Sequence, residues 1–292
     1  MNILTFDIEE WYIEKSFRGG NVYRYQQFDE VFDKVLDELD RFGIKATFFC
    51  VGQLAIDFPE VVKAIVSRGH EIGCHSNAHT WLDKMDEKML IQDTKEALKI
   101  LQDVSGQKVA SYRAPAFSIT PQNKWTINVL QECGIERDAS IFPSSRDFGG
   151  YNGFPQDIPC VIEHEGARLK EFPIGLTSLL GNKIAYSGGG YFRLLPYWFV
   201  NRTMLKRDYN ICYFHLADLI QEKQKMMSEA EYIEYFKEPG TLKNRLVRFC
   251  KSNIGTGDAF CKFKQLLSHF SFMSILDADS QIDWNKVNTI VI

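Results

Sequence analysis

Residues 28–52 read FDEVFDKVLDELDRFGIKATFFCVG, and this stretch decides the fold class. Phe28, Val31, Phe32, Val35, Leu36, Leu39 and Phe42 recur at steps of three and four with acids and a lysine between them, which lays one apolar stripe along a helix. Gly43 supplies the stop. Ala46 to Gly52 then runs apolar without alternation, as a strand does when both of its faces are covered. A helix followed by such a strand is the repeating unit of a parallel sheet or barrel with helices outside.

Working outward, the unit recurs. Asn2 to Ile8 reads as a buried strand. Downstream, the pattern predicts helices over 59–67, 87–101 and 121–133, and strands over 71–75, 110–113 and 136–140. Residues 158–173 read as a hairpin turning at Glu165-Gly166. The glycine cluster Ser187-Gly-Gly-Gly190 precedes a helix from about 196, residues 211–215 return to the strand pattern, and 260–270 predict a closing helix. No low-complexity linker interrupts the series, so residues 1–292 are expected to form a single domain.

A chain of 292 residues with 45% hydrophobic content can bury a sizeable core. Its net charge of -4 and pI near 5.9 provide no broad basic field, which argues against nucleic acid or an anionic membrane surface as the partner. The seven cysteines are scattered, and none forms a C-x-x-C pair, so they read as reduced thiols. Residues 2–8 show neither a charged leader nor an apolar run long enough to span a bilayer; the expectation is a cytoplasmic chain with no transmembrane segment.

His75-Ser-Asn-Ala-His79 places two imidazoles four residues apart, close enough on one helical turn or tight loop to share a zinc-type cation. His75 falls at the C-terminal end of a predicted strand, where barrel enzymes gather their catalytic groups. Asp7, Arg113, Asp138 and His215 also end predicted strands. Strand alternation puts Asp7 and Glu9 on one side and Glu10 on the other, turned toward a loop beginning at Trp11. Singly, each has a plainer reading, as a surface salt bridge, a solvated acid or a core histidine. Five strand ends carrying such groups together favour one site.

These residues resemble the NodB-homology polysaccharide deacetylases, carbohydrate esterase family 4. The matching motifs are Thr5-Phe6-Asp7-Ile8-Glu9, Ala46-Thr-Phe-Phe49, Gly69-His-Glu-Ile-Gly-Cys-His-Ser-Asn-Ala-His79, Arg113-Ala-Pro115 and Tyr213-Phe-His215, spanning residues 1 to about 218. More loosely, Glu171-Phe-Pro173, Ser187-Gly-Gly-Gly-Tyr-Phe-Arg193 and Phe263 to Phe272 resemble the subgroup associated with bacterial capsule and exopolysaccharide genes. The resemblance implies an α/β fold, a distorted (β/α)7 barrel, here with the hairpin inserted. It implies hydrolysis of N-acetyl or O-acetyl groups on a saccharide or polysaccharide precursor, with a divalent metal as cofactor: zinc first, with cobalt, nickel and manganese as alternatives.

Carried over residue by residue, the same resemblance makes His75, His79 and Glu9 the metal ligands and Asp7 the general base. Arg113 would orient Asp7, His215 would be the general acid, and Asp138 would tune His215. Pro115, Ala116 and Phe117 would border the substrate, with the Ala116 N–H facing the oxyanion. Tyr186 and Gly189, at the glycine cluster, are further substrate-binding candidates, although aromatics there are equally suited to the core. The chain departs from the family in two places. Asp7-Ile8-Glu9 stands where two adjacent aspartates are common, and alanine stands at 116 where an aromatic residue is common. Two other readings remain: a carbohydrate-binding barrel without turnover, and a metal-dependent hydrolase of small amides.

Overall fold

The computed structural model describes residues 1–146, 148–179, 181–221, 225–236 and 238–292. Its strands are β1 (Asn2–Ile8), β2 (Thr47–Cys50), β3 (Glu71–Cys74), β4 (Ser111–Tyr112), β5 (Arg137–Asp138), β6 (Cys160–His164), β7 (Ala167–Glu171), β8 (Leu176–Leu179), β9 (Asn182–Ala185), β10 (Asn210–His215) and β11 (Thr289–Val291). The main sheet has the order β10-β1-β2-β3-β4-β5-β7-β6-β11. From β10 to β7 every neighbour is parallel, so seven strands form the wall of the distorted barrel. The hairpin β6–β7 is part of that wall: its second strand is the seventh parallel strand, and its first extends the sheet antiparallel. The turn takes left-handed φ at both Glu165 (+46°) and Gly166 (+86°), as the right-handed twist of a tight hairpin demands.

Among the described residues no ladder joins β7 to β10. The gap is bridged by single contacts: Tyr213 N–H donates to Ser187 O at 3.3 Å, and the Tyr209 hydroxyl donates to Pro173 O at 2.9 Å.

Alternation along the strands sorts their side chains into two apolar clusters. Leu4, Phe6, Ile8, Phe48 and Phe214 face the helix layer, where Phe6 stacks on Phe48 at 4.8 Å and meets Phe263 of helix Ala259–His269 edge-on at 6.0 Å. Removing such a ring costs about 3–5 kcal/mol. Ile3, Phe49, Ile211 and Tyr213 face the barrel interior with Phe142 and Phe172. Thr5 and Asp7 share β1's interior side with Ile3. Gly73 is a packing requirement, because a Cβ there would collide with the Phe49 ring.

Residues beyond Glu9 correct the expected loop. Glu10–Arg18 is a helix, closed by Gly19 at φ +82°, with its Trp11 buried and the indole N–H donating to Asp29 at 3.0 Å. Its register owes more to this docking than to any long apolar repeat.

Candidate active site

The C-terminal ends of the parallel strands bring the chemistry together. β1 ends at Ile8, so Glu9 is not a strand residue: it is the N-cap of the following helix, at φ -136° and ψ -16°. Its carboxylate nonetheless reaches both histidines. Glu9 Oε2 lies 3.4 Å from His75 Nε2 and 2.5 Å from His79 Nε2. Glu10 turns away and caps another element, accepting the Ala217 N–H at 2.9 Å. Burial pushes its carboxyl up to about 7, Glu9 adding to the effect and His215 opposing it.

His75 and His79 are joined by a tight loop in which Ser76 (φ +67°) and His79 (φ +52°) take the left-handed conformation. For residues other than glycine that costs about 1–2 kcal/mol each, so the loop must be held from outside. Asp93 accepts from the Ser76 hydroxyl at 3.1 Å and from the Asn77 N–H at 2.9 Å, Glu96 accepts from the Asn77 amide at 3.0 Å, and the Tyr12 hydroxyl donates to Ala78 O at 3.2 Å. His75 Nδ1 faces the Arg113 carbonyl at 2.8 Å, which makes it the protonated nitrogen and leaves Nε2 as a lone-pair donor.

One ligand atom from each of Glu9, His75 and His79 lies within 4.8 Å of the others. Glu9 Oε2 is buried and, although near both imidazoles, makes no well-directed hydrogen bond. A carboxylate oxygen and two imidazole nitrogens converging on one point fit a borderline cation such as zinc, with coordination positions left open. Burial opposes the charge on Glu9, but His79 and His215 outweigh it and hold the carboxyl well below its ordinary range.

Asp7 sits beside this donor set. Its Oδ1 accepts from Arg113 Nη1 at 2.8 Å, and the same nitrogen donates to the Thr5 hydroxyl at 2.9 Å. Arg113 is fully buried, lies on the Phe49 ring at 4.3 Å and donates from Nε to Ala139 O at 3.1 Å, so it has little freedom to move. Burial opposes ionisation of Asp7, yet Arg113, then His75 and His215, hold its pKa below the usual carboxylate value. Asp7 pairs in register with His215 across β1 and β10, and His215 Nε2 is 3.8 Å from Asp7 Oδ2 and 3.6 Å from Glu9 Oε1. The acids prevail over burial at His215 too, Glu9 first and then Asp218 and Asp7, pushing it up to about 10.

The carboxylate that holds His215 is Asp218, which corrects the expectation for Asp138. Asp218 Oδ2 accepts from the His215 backbone N–H at 3.1 Å and lies 3.3 Å from Nδ1. Asp138 is buried against Ser140, whose hydroxyl donates to it at 2.5 Å, and against Glu171. The signal for Asp218 was its place three residues after His215, at the start of helix Leu216–Leu219, where an acid caps the turn.

A cleft of about 330 Å³ opens over these groups. Ala116 and Phe117 border it, while Pro115 is buried behind them. Both bordering residues have left-handed φ, +56° and +54°, and Pro115 O accepts from the Ser118 N–H at 3.1 Å, which fixes the peptide plane carrying the Ala116 N–H. Tyr186 is a core residue, fully buried with its hydroxyl on Asn210 at 2.6 Å, and does not reach the cleft. Gly189 is likewise buried behind the Tyr213 ring, which itself borders the cleft.

Comparison with known proteins agrees with this geometry. Residues 3–137 match the family model described as polysaccharide deacetylase, and residues 139–279 match a second described as a domain of unknown function. A peptidoglycan-N-acetylglucosamine deacetylase of Bacillus cereus is 32% identical over 117 residues, covering 36% of this chain and 42% of that protein. The peptidoglycan-N-acetylglucosamine deacetylase PgdA of Listeria monocytogenes is 33% identical over 101 residues, covering 35% of this chain and 20% of its own length. The chain thus spans less than half the length of these curated relatives. A putative polysaccharide deacetylase from Mycobacterium smegmatis superposes over 100% of this chain and 92% of its own, with a TM-score of 0.65 at 17% identity, and so shares the fold.

Proposed function

We propose that this chain is a metal-dependent hydrolase removing acetyl groups from a saccharide or polysaccharide precursor, a reading supported by the match of residues 3–137 to the polysaccharide deacetylase family model. One observation carries the reading: Asp7, locked by buried Arg113, stands beside both the Glu9/His75/His79 donor set and His215. Bound there, a divalent metal, zinc by the nature of the donors, supplies Lewis-acid polarisation of the acyl carbonyl and a more acidic water. Asp7 Oδ2 accepts the proton of the attacking water. The Ala116 N–H donates to the tetrahedral oxyanion, a contact whose loss typically costs about 10²–10³ in rate. His215 Nε2 then protonates the departing amine or alkoxide, with Asp218 on Nδ1 holding the ring's orientation and favouring its charged form.

The named relatives support an N-acetylhexosamine as the acetylated unit, and the motifs of the second half favour a capsule or exopolysaccharide precursor as its setting. In this reading residues 1–292 are one domain, because β10 is paired with β1 along its whole length. A cytoplasmic location rests on the seven free cysteines. Among the described residues no helix is long and apolar enough to cross a membrane.

The test is acetate release from acetylated glycans by the purified chain, with its metal removed and then restored. Release should vanish and return with the metal. Unchanged turnover by protein shown to be metal-free ends the proposal, and metal and sugar binding without any acetate release identifies a non-catalytic barrel instead.

A further inference from the structure

The charge of the cleft is opposite to that of the chain. Among the described residues, seven lysine and arginine side chains border it against four carboxylates, although the whole protein carries -4. Two of those carboxylates are already matched, Asp7 by Arg113 and Asp218 by His215 and Arg193, while Glu9 is turned to the metal donor set and Glu10 accepts the Ala217 N–H. Among the described residues, no carboxylate lies within ion-pair distance of Arg146, Arg245 or Arg248.

The way two of these arginines are held matters more than their number. Arg248, on helix Leu242–Asn253, lies over the rings of Phe148 at 4.5 Å and Phe236 at 4.4 Å. Arg146 lies over Phe117 at 4.9 Å and Phe142 at 4.7 Å, and one of its nitrogens reaches Ala116 O only at 3.4 Å. Stacking occupies the face of a guanidinium and fixes its plane. The in-plane N–H edge is left to fork an oxyanion, with little side-chain freedom left to lose on binding. Phe148, which supports Arg248, stacks on Phe236 at 5.7 Å and tilts against Trp81 at 5.0 Å, so cation and aromatic surface form one continuous wall. A sugar ring can lie on that surface while an anion attached to it meets the guanidinium.

We infer that the cleft takes an acetylated saccharide bearing an oxyanion group, a phosphate ester or a carboxylate, seated on Arg248, with Arg146 also bordering the cleft. This rests on the deacetylase reading of the same site and narrows its substrate. Unmatched carboxylates would repel such a substrate; here Asp7 and Asp218 are paired and Glu9 is turned to the metal donor set, and the lining carries more cations than acids.

The experiment compares three probes on the metal-loaded full chain: a neutral N-acetylglucosamine trisaccharide, the same trisaccharide with a reducing-end phosphate, and one containing a glucuronate. At low salt, kcat/KM for at least one anionic probe should exceed that for the neutral one by about tenfold or more. The preference should shrink in 0.5 M sodium chloride. It should collapse toward unity in Arg248→Gln and fall partway in Arg248→Lys, which keeps the charge and loses the fork. Which anionic probe gains tells phosphate from carboxylate. Equal kcat/KM for all three, or a preference undiminished in Arg248→Gln, overturns the inference. Calorimetric binding of the three deacetylated products separates it from the parent reading. If no probe releases acetate but the anionic products bind about tenfold tighter in wild type than in Arg248→Gln, the anion seat stands and the deacetylase reading falls; equal binding sinks the seat.

Discussion

At the N-terminal ends of β2, β3 and β4, Glu71 is buried with both oxygens matched: Oε1 accepts from the Ser111 hydroxyl at 2.6 Å, and Oε2 from Thr47 at 2.5 Å and the Leu276 N–H at 2.9 Å. Arg137 closes that end, donating to Ser111 and Asp279. At the opposite end of the same sheet, Asp7, Glu9 and Arg113 are equally buried, yet Glu9 Oε2, which borders the cleft, has no hydrogen-bond partner. Both regions bury charge in one sheet. The difference is completeness: a finished network serves stability, whereas buried atoms left unmatched and facing a cleft are aimed at something that binds.

Four measurements press on that contrast. Asp7→Asn keeps the shape but cannot take a proton at neutral pH, so turnover should fall by about 10²–10⁴ while metal stoichiometry is retained. A variant with near-wild-type kcat would remove Asp7 from its role. Glu71→Ala should do the reverse: removing one side of a buried charged network costs about 3–5 kcal/mol in denaturant unfolding, with kcat per folded molecule unchanged. Loss of activity without loss of stability there would erase the distinction between the two ends.

Within the open end, Glu9→Gln should weaken metal binding by more than the roughly 10–100-fold expected of a group outside the ligand sphere, and Glu10→Gln by much less. The opposite order, read by metal titration, would reassign the ligand. The smallest effect is a pH slope. Burial first, and then the neighbouring Asp138, raise the Glu171 carboxyl well above its ordinary value. Its folded pKa exceeds the unfolded one, so the folded state keeps a proton that the unfolded chain has released. Stability from this group is present at low pH and is lost as pH rises from about 4.5 toward the folded value, by about 1.4 kcal/mol per pH unit for one proton. Glu171→Gln should flatten that slope. An unchanged slope would place the proton elsewhere.

Much of the open end is legible in the sequence because its residues sit at fixed places in the repeat. Asp7, Arg113 and His215 close strands whose apolar patterns are plain, and the His75–His79 spacing survives whether the linker is helix or loop. What escapes is what the chain supplies from elsewhere. Asp93 and Glu96 hold the histidine loop from the exposed side of helix Glu87–Ser105, where acids look merely solvated. At Asp138, ending a strand places a residue near a site without turning it inward, and the Ser140 hydroxyl donates to its carboxylate. Tyr186 was misread for a related reason, since an aromatic beside a glycine cluster has the same composition in a binding wall and in a core. The N-terminal helix was missed because its docking on Trp11 replaces periodicity as the source of its order.

The pairing of β1 with β10 has a kinetic side. Asp7 meets His215 only after about two hundred residues of intervening chain are made, which at about 5–20 residues per second is roughly 10–40 s on the ribosome. Until then β1 has an open edge, and its Leu4, Phe6 and Ile8 lack the cover that β10 and the Ala259–His269 helix later provide. So non-local a contact slows folding and leaves the nascent chain vulnerable to association for that interval. It also keeps Asp7 and His215 apart throughout, so the pair that the proposed mechanism needs assembles only once the chain is made through β10.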